Sequence, residues 1–140
     1  MKKLIAFIML LIVVNTTAIS DTNAVLKDRR CMAEAIYRES RGEPYRGQLA
    51  VGQVVLNRAK HPYFPKNICQ VIFQKGQFPW TNKFDGFKAP QPFIYLADIV
   101  LSGSHELSHF KATHFHATYV NPRWNLRKVE QIGNHIFYKL

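Results

Sequence analysis

Acidic residues are scarce in this chain: nine Asp and Glu stand against nineteen Lys and Arg in 140 residues, a formal charge of +10. Any chemistry that needs a carboxyl group must draw on those nine positions. Cysteine is nearly absent too, and Cys31 with Cys69 cannot make a zinc finger on their own. No apolar run approaches the ~20 residues of a membrane-spanning helix. The longest, Leu4 to Val14, is short of that. There are no internal repeats and no low-complexity tract, and the length suits one domain with one core rather than a catalytic domain plus a separate binding module.

What is present begins with a leader. Lys2 and Lys3 precede the apolar run, and a small, polar stretch follows it, as in a secretory signal peptide. Cleavage after Ser20 leaves Ala18 and Ser20 at the small-residue positions; Ala24 is a second site, and an uncleaved membrane anchor is the alternative. Residues 1–20 are thus expected to be a signal peptide and 21–140 the domain, exported to the periplasm or the cell wall as a monomer. Any membrane association would be transient and through the N-terminal segment. Losing Lys2 and Lys3 takes the charge from +10 to +8. A basic exported domain suits an anionic polymer, such as wall glycan with its acidic peptides; nucleic acid is not expected, since export removes the chain from most of it. In an oxidising compartment the even cysteine count predicts a Cys31–Cys69 disulfide, contributing about 4 kcal/mol on the chain-entropy model.

The coarse pattern is α+β, a mainly helical core with a small antiparallel sheet. Thr22 or Asn23 can cap a helix running to about Arg41; a second spans about Pro44 to Lys60, and a short one carries Ile68 to Phe73. Residues 74–92, rich in Gly, Pro, Lys and aromatics without periodicity, read as an ordered surface loop. A further helix over Phe93 to Leu101 is stopped by Gly103. Thr113 to Val120 alternates, with Phe115, Ala117 and Tyr119 on one face and His114, His116 and Thr118 on the other, and His135 to Lys139 is a second strand.

One residue disturbs this pattern. Met32, Ala35, Ile36 and Glu39 fall at i, i+3, i+4 and i+7, so Glu39 extends an apolar stripe. Gly42 reads as the helix stop and Pro44 as the start of the next helix, which puts Glu39 in a last turn and Glu43 at a helix head. Exposed carbonyls and partial burial disfavour a charge at Glu39, whereas free N–H groups favour one at Glu43. Two carboxyls pushed apart in pKa resemble an acid and its helper. The plainer alternative pairs Glu39 with Arg38 or Arg41 and makes the segment a structural hairpin.

His105-Glu106-Leu107-Ser108-His109 matches H-E-x-x-H, the zinc-protease pattern. That chemistry needs a continuous helix through both histidines, but Gly103 and the flanking serines indicate a helix end or loop, and Phe115 stands where a metzincin third ligand would be. No metal or other cofactor is expected.

From Met32 onward the chain resembles the SleB-type, spore-cortex-lytic cell-wall hydrolases. The resemblance is carried by residues 33–44 (AEAIYRESRGEP), Gly47 to Val51, Val55 to Arg58, Phe64-Pro65 with Ile68 to Ile72, and Gln77-Phe78. Later come Ala112 to Ala117, Tyr119, Val120, Pro122 and Trp124, then Ile132 to Tyr138. It implies a lysozyme-like domain that cleaves peptidoglycan between N-acetylmuramic acid and N-acetylglucosamine, with Glu39 as general acid. Pro79 departs from the small hydroxyl residue that often follows the Gln-Phe pair.

With Glu39 as acid, a lytic transglycosylase needs no second carboxylate, because the muramic 6-hydroxyl attacks and leaves a 1,6-anhydro end; Glu43 is the nearest candidate partner otherwise. Gln77, Phe78, His116 and Tyr119 are expected in the groove walls, aromatic faces against sugar rings and amides toward acetamido groups. Arg41 and the lysines between 83 and 88 would meet acidic wall groups. The competing function is a non-catalytic envelope-binding module, with zinc metalloprotease a distant third.

Overall fold

The structure is a computed structural model that describes the backbone from residue 2 and side chains from residue 19. In order it contains α1 (Lys2–Ser40), α2 (Tyr45–Lys60), α3 (Ile68–Ile72), a 3₁₀ turn (Pro79–Lys83), α4 (Gln91–Ser102), β1 (His114–Ala117), β2 (Arg127–Ile132) and β3 (His135–Lys139). The side chains of residues 1–18 of the expected signal peptide lie outside the described residues. α1 runs through the expected caps at Thr22 and Asn23, correcting the helix start: neither Pro nor Gly separates the leader from the domain, so nothing breaks the helix there. No described helix is long and apolar enough to cross a membrane.

The core lies where α1, α2 and α4 pack. Met32, Ala35 and Ile36 are fully buried, as the apolar stripe requires, against Val51, Val54 and Val55 of α2 and Val100 of α4. Gly52 allows the close approach, because a Cβ there would sit 2.9 Å from both Ile36 Cδ1 and Val100 Cγ2. Arg29 clamps α1 to α4 through two bonds to Asp98, 2.6 and 2.7 Å. Cys31 and Cys69 form the expected disulfide, tying α1 to α3 across 38 residues.

The helix break differs in detail from the sequence reading. α1 ends in a turn, with Arg41 N–H donating to Tyr37 O and Glu43 N–H to Ser40 O, and Gly42 does not take a left-handed conformation. Pro44 is the N-cap of α2. The sheet has three strands in the order β1-β3-β2, all antiparallel. β2 escapes the sequence pattern because its Arg-Lys-Val-Glu-Gln-Ile run is exposed except at Glu130 and Ile132, and a register shift at Lys128/Glu130 breaks the alternation. β1 is shorter than expected, and Tyr119 falls beyond it.

Candidate active site

Glu39 occupies the last turn of α1, half-buried. Neither Arg38 nor Arg41 pairs with it: Arg38 binds Glu34 and Asp85, and Arg41 lies over the Tyr37 ring. Its partner is Trp80, whose indole N–H donates to Oε1 at 2.8 Å. Oε2 accepts no hydrogen bond among the described residues. Burial raises the pKa of Glu39, opposed by the Trp80 bond and by the charge of Arg58. Of the two causes read from the sequence, exposed helix-end carbonyls and partial burial, burial is the leading one.

Trp80 stands on the 3₁₀ turn of the aromatic loop, edge-on to Phe73 (6.0 Å) and tilted against Phe78 (6.2 Å) and Phe84 (6.1 Å). The Arg38 guanidinium lies 5.4 Å from its ring centre. A buried carboxylate anchors the loop's far end: Glu34, fully buried, accepts from Arg38 Nε (2.7 Å) and from the backbone N–H of Lys88 (2.6 Å) and Ala89 (2.8 Å). Three donors satisfy a charge that would otherwise be costly inside the protein. Lys88 and Arg38 also hold Asp85 down to about 2 through hydrogen bonds.

Arg58 of α2 is 5% exposed. Its Nε donates to Thr113 O at 2.6 Å, its guanidinium faces Phe64 and Phe78, and its Nη1 has no partner among the described residues. Burial pulls its pKa down to about 10, with Glu39 opposing the fall. Beyond Thr113, β1 presents His114 and His116 on the sheet face shared with Tyr138, as the alternation indicated. His116 Nδ1 is hydrogen-bonded with Ala117 O (2.7 Å) and its Nε2 with the Tyr138 hydroxyl (2.9 Å). Trp124 packs edge-on against His114, His116 and Tyr138 and stays 43% exposed, an aromatic surface fit for a sugar ring. Burial and the Arg58 charge lower the His114 pKa.

The remaining expected site residues divide. Phe78 is 3% exposed and packs against Trp80 and Phe115, so it lies in the core and, contrary to the expectation of a groove wall, offers no face to solvent. Gln77 is half-buried at the loop's turn, its N–H bonded to Gln74 O. Tyr119 is 89% exposed past the end of β1, outside the cluster. Glu43 does not cap α2: its oxygens accept from Asn134 N–H (2.8 Å) and Asn134 Nδ2 (3.3 Å), fastening the β2–β3 turn to the helix break. Arg41 is exposed, stacked on Tyr37. The H-E-x-x-H segment forms successive turns after α4, with Ser108 N–H on His105 O and Phe110 N–H on Leu107 O, so the two imidazoles do not share a helical face. Among the described residues no three His, Cys, Asp or Glu converge.

Sequence reasoning missed Trp80, Arg58 and Glu34 as parts of the site. Trp80 carried a signal, as one of only two tryptophans and placed in the aromatic loop. Arg58 and Glu34 carried none, since nothing local marks a charged residue for burial.

The sequence model of a family described as Cell Wall Hydrolase matches residues 42–138. The spore cortex-lytic enzyme of Bacillus subtilis (strain 168) is 35% identical over 117 residues, 79% of this chain and 37% of that protein. That of Bacillus cereus (strain ATCC 14579) is 36% identical over 119 residues, 80% of this chain and 44% of that protein. The chain therefore spans well under half the length of these curated relatives. Among solved structures, the catalytic domain of the germination-specific lytic transglycosylase SleB from Bacillus anthracis superposes with a TM-score of 0.71 at 31% identity, over 80% of this chain and 93% of that one. The catalytic domain of Bacillus cereus SleB gives 0.70 at 31% identity, covering 80% and 89%.

Proposed function

The chain belongs to the cell wall hydrolase family, and from that premise we propose that it cuts peptidoglycan glycan strands between N-acetylmuramic acid and N-acetylglucosamine as a lytic transglycosylase. The observation that carries this reading is the distribution of the acids. Glu34, Asp28, Glu43, Asp85, Asp98 and Glu130 each have both carboxylate oxygens engaged by protein donors. Asp21 and Glu106 are exposed. Glu39 alone combines desolvation with an open oxygen.

A protonated Glu39 gives its proton to the glycosidic oxygen as the bond from muramic C1 breaks. The resulting carboxylate, stabilised by Trp80 N–H and the nearby charge of Arg58, then takes the proton of the muramic 6-hydroxyl as that oxygen bonds to C1. The acid is regenerated, water is not consumed, and the new end is 1,6-anhydromuramic acid. Hydrolysis by inversion or retention would need a second uncommitted carboxyl roughly 5–10 Å away, and the engaged oxygens of Glu43 and Glu34 argue against either in that role. The N-terminal apolar run supports export, so the enzyme would act outside the cytoplasm, with residues 1–20 as its leader.

Digestion of purified sacculi tests this. The reading expects muropeptides one water lighter than hydrolytic products, and Glu39→Gln should lower the rate by roughly 10²–10⁴-fold while sedimentation with sacculi persists. Only hydrated reducing ends would make the protein a hydrolase of the same bond. No soluble fragments from wild type would make it a binding module.

A further inference from the structure

Two adjoining cavities, each of about 330 Å³, lie at the sheet end remote from the Glu43–Asn134 clasp. Lys60 and His61 line the first, His109, Arg127 and Lys128 the second, and Lys111 with Lys139 form their common wall. No acidic side chain lines either. Four cations elsewhere, Arg29, Arg38, Arg46 and Lys88, pair with carboxylates. Here, among the described residues, none of the five lysines and arginines forms an ion pair. The strand register adds to the imbalance: Arg127 and Lys139 are directly opposite across β2 and β3. Like charges so placed destabilise a sheet. A local rule broken without a structural gain points to a bound anion that relieves the repulsion.

Thr113 links the double basin to the candidate site. Thr113 lines the first cavity, its carbonyl holds Arg58, and its neighbour His114 begins the aromatic face. A glycan in the groove carries on its muramic residues stem peptides with free carboxylates. We propose that the basin formed around Lys111 and Lys139 is a subsite for the carboxylates of the stem peptide, an inference that rests on the glycan-cleaving reading above.

The experiment uses the full chain carrying Glu39→Gln and soluble glycan chains of matched length with and without stem peptides, with binding measured by calorimetry at low and high salt. Stem-bearing chains should bind about tenfold tighter at low salt, the preference shrinking as salt screens the contacts. Adding Lys111→Gln with Lys139→Gln should erase the preference yet leave affinity for stem-free chains unchanged, and the two Lys→Arg changes should preserve it. Because Lys139→Gln removes the repulsion from Arg127, the Gln variant should melt no lower than its parent. Equal binding of both chains, no binding of either, a preference that survives the Gln changes, or an equal loss on both chains with a lower melting point would each overturn the proposal. So would competition by a phosphodiester wall polymer that free stem peptide at equal concentration fails to match. If wild type cleaves neither chain while the stem preference persists, the cleavage reading fails and the subsite stands.

Discussion

The Glu34→Gln substitution tests how the fold presents its acid. Glu34 Oε1 takes the Arg38 Nε–H, and Oε2 takes the N–H groups of Lys88 and Ala89, all with no solvent to compensate a loss. An amide cannot serve both sides. If its NH₂ replaces Oε1 it faces the Arg38 donor, and Arg38 keeps only Asp85 and Gly86 O. If it replaces Oε2 it confronts two backbone donors, and the loop loses its anchor. Breaking a buried charge network costs about 3–5 kcal/mol; the two backbone hydrogen bonds kept in the first orientation put the expectation near ~3 kcal/mol. For a domain of this size that is a fall in Tm of roughly 10 °C, readable by circular dichroism. The loop also carries Trp80, and Arg38 lies over its ring, so the damage should reach Glu39. With Trp124→Phe in the background, Trp80 is the sole tryptophan, and its emission should shift to the red as the rate of glycan cleavage falls. A Tm within about 2 °C of wild type, with unchanged Trp80 emission, would refute the argument.

Trp80→Phe removes a hydrogen bond that lowers the Glu39 pKa; the high-pH limb of the rate profile, where the acid loses its proton, should move to higher pH while the maximal rate falls, and a limb that moves down would contradict the assignment. Because the folded-state pKa of Glu39 is raised, the unfolded chain loses this proton first, so the residue costs stability as pH climbs through and above the ordinary carboxylate range; Glu39→Gln should therefore raise Tm at neutral pH and leave it unchanged at pH values where both states are protonated. Replacing Cys31 and Cys69 by serine should remove up to ~4 kcal/mol, measured by urea unfolding without reductant. Gly133 has φ +56°, and a Cβ there would collide with Glu43 Oε2, so Gly133→Ala should cost about 1–3 kcal/mol and weaken glycan binding by loosening the hairpin; full wild-type stability would show that the Glu43–Asn134 clasp is dispensable.

The parts legible in the sequence were those whose cause is local. Met32, Ala35 and Ile36 announced the buried face of α1 by spacing, Gly103 stopped α4, and the alternation of β1 placed His114 and His116 together. The disulfide followed from cysteine count and compartment. What escaped depends on distant chain. Glu43 sits beside a helix head in sequence, yet its partner Asn134 is 91 residues away. Phe78 looked like a surface aromatic in a polar loop until Trp80 and Phe115 enclosed it. β2 was invisible because a solvated edge strand needs no apolar alternation, only the partner β3.

The same contrast explains why Glu39 is equipped as it is. A carboxyl that only had to hold a proton could sit in an apolar pocket with no donor near it, and burial alone would suffice. The reaction proposed here requires more, since Glu39 must be neutral when the glycosidic bond breaks and anionic when the 6-hydroxyl is deprotonated. Burial favours the first state; the Trp80 N–H at 2.8 Å and the Arg58 charge favour the second. Arg58 is itself buried at a cost visible in its lowered pKa, with Nη1 left without a partner. Placing that charge deep in the protein contributes little to folding. In the proposed reaction its benefit would appear when Glu39 has lost its proton, with the half-buried acid and the buried cation balanced so that a single residue gives a proton and takes one back.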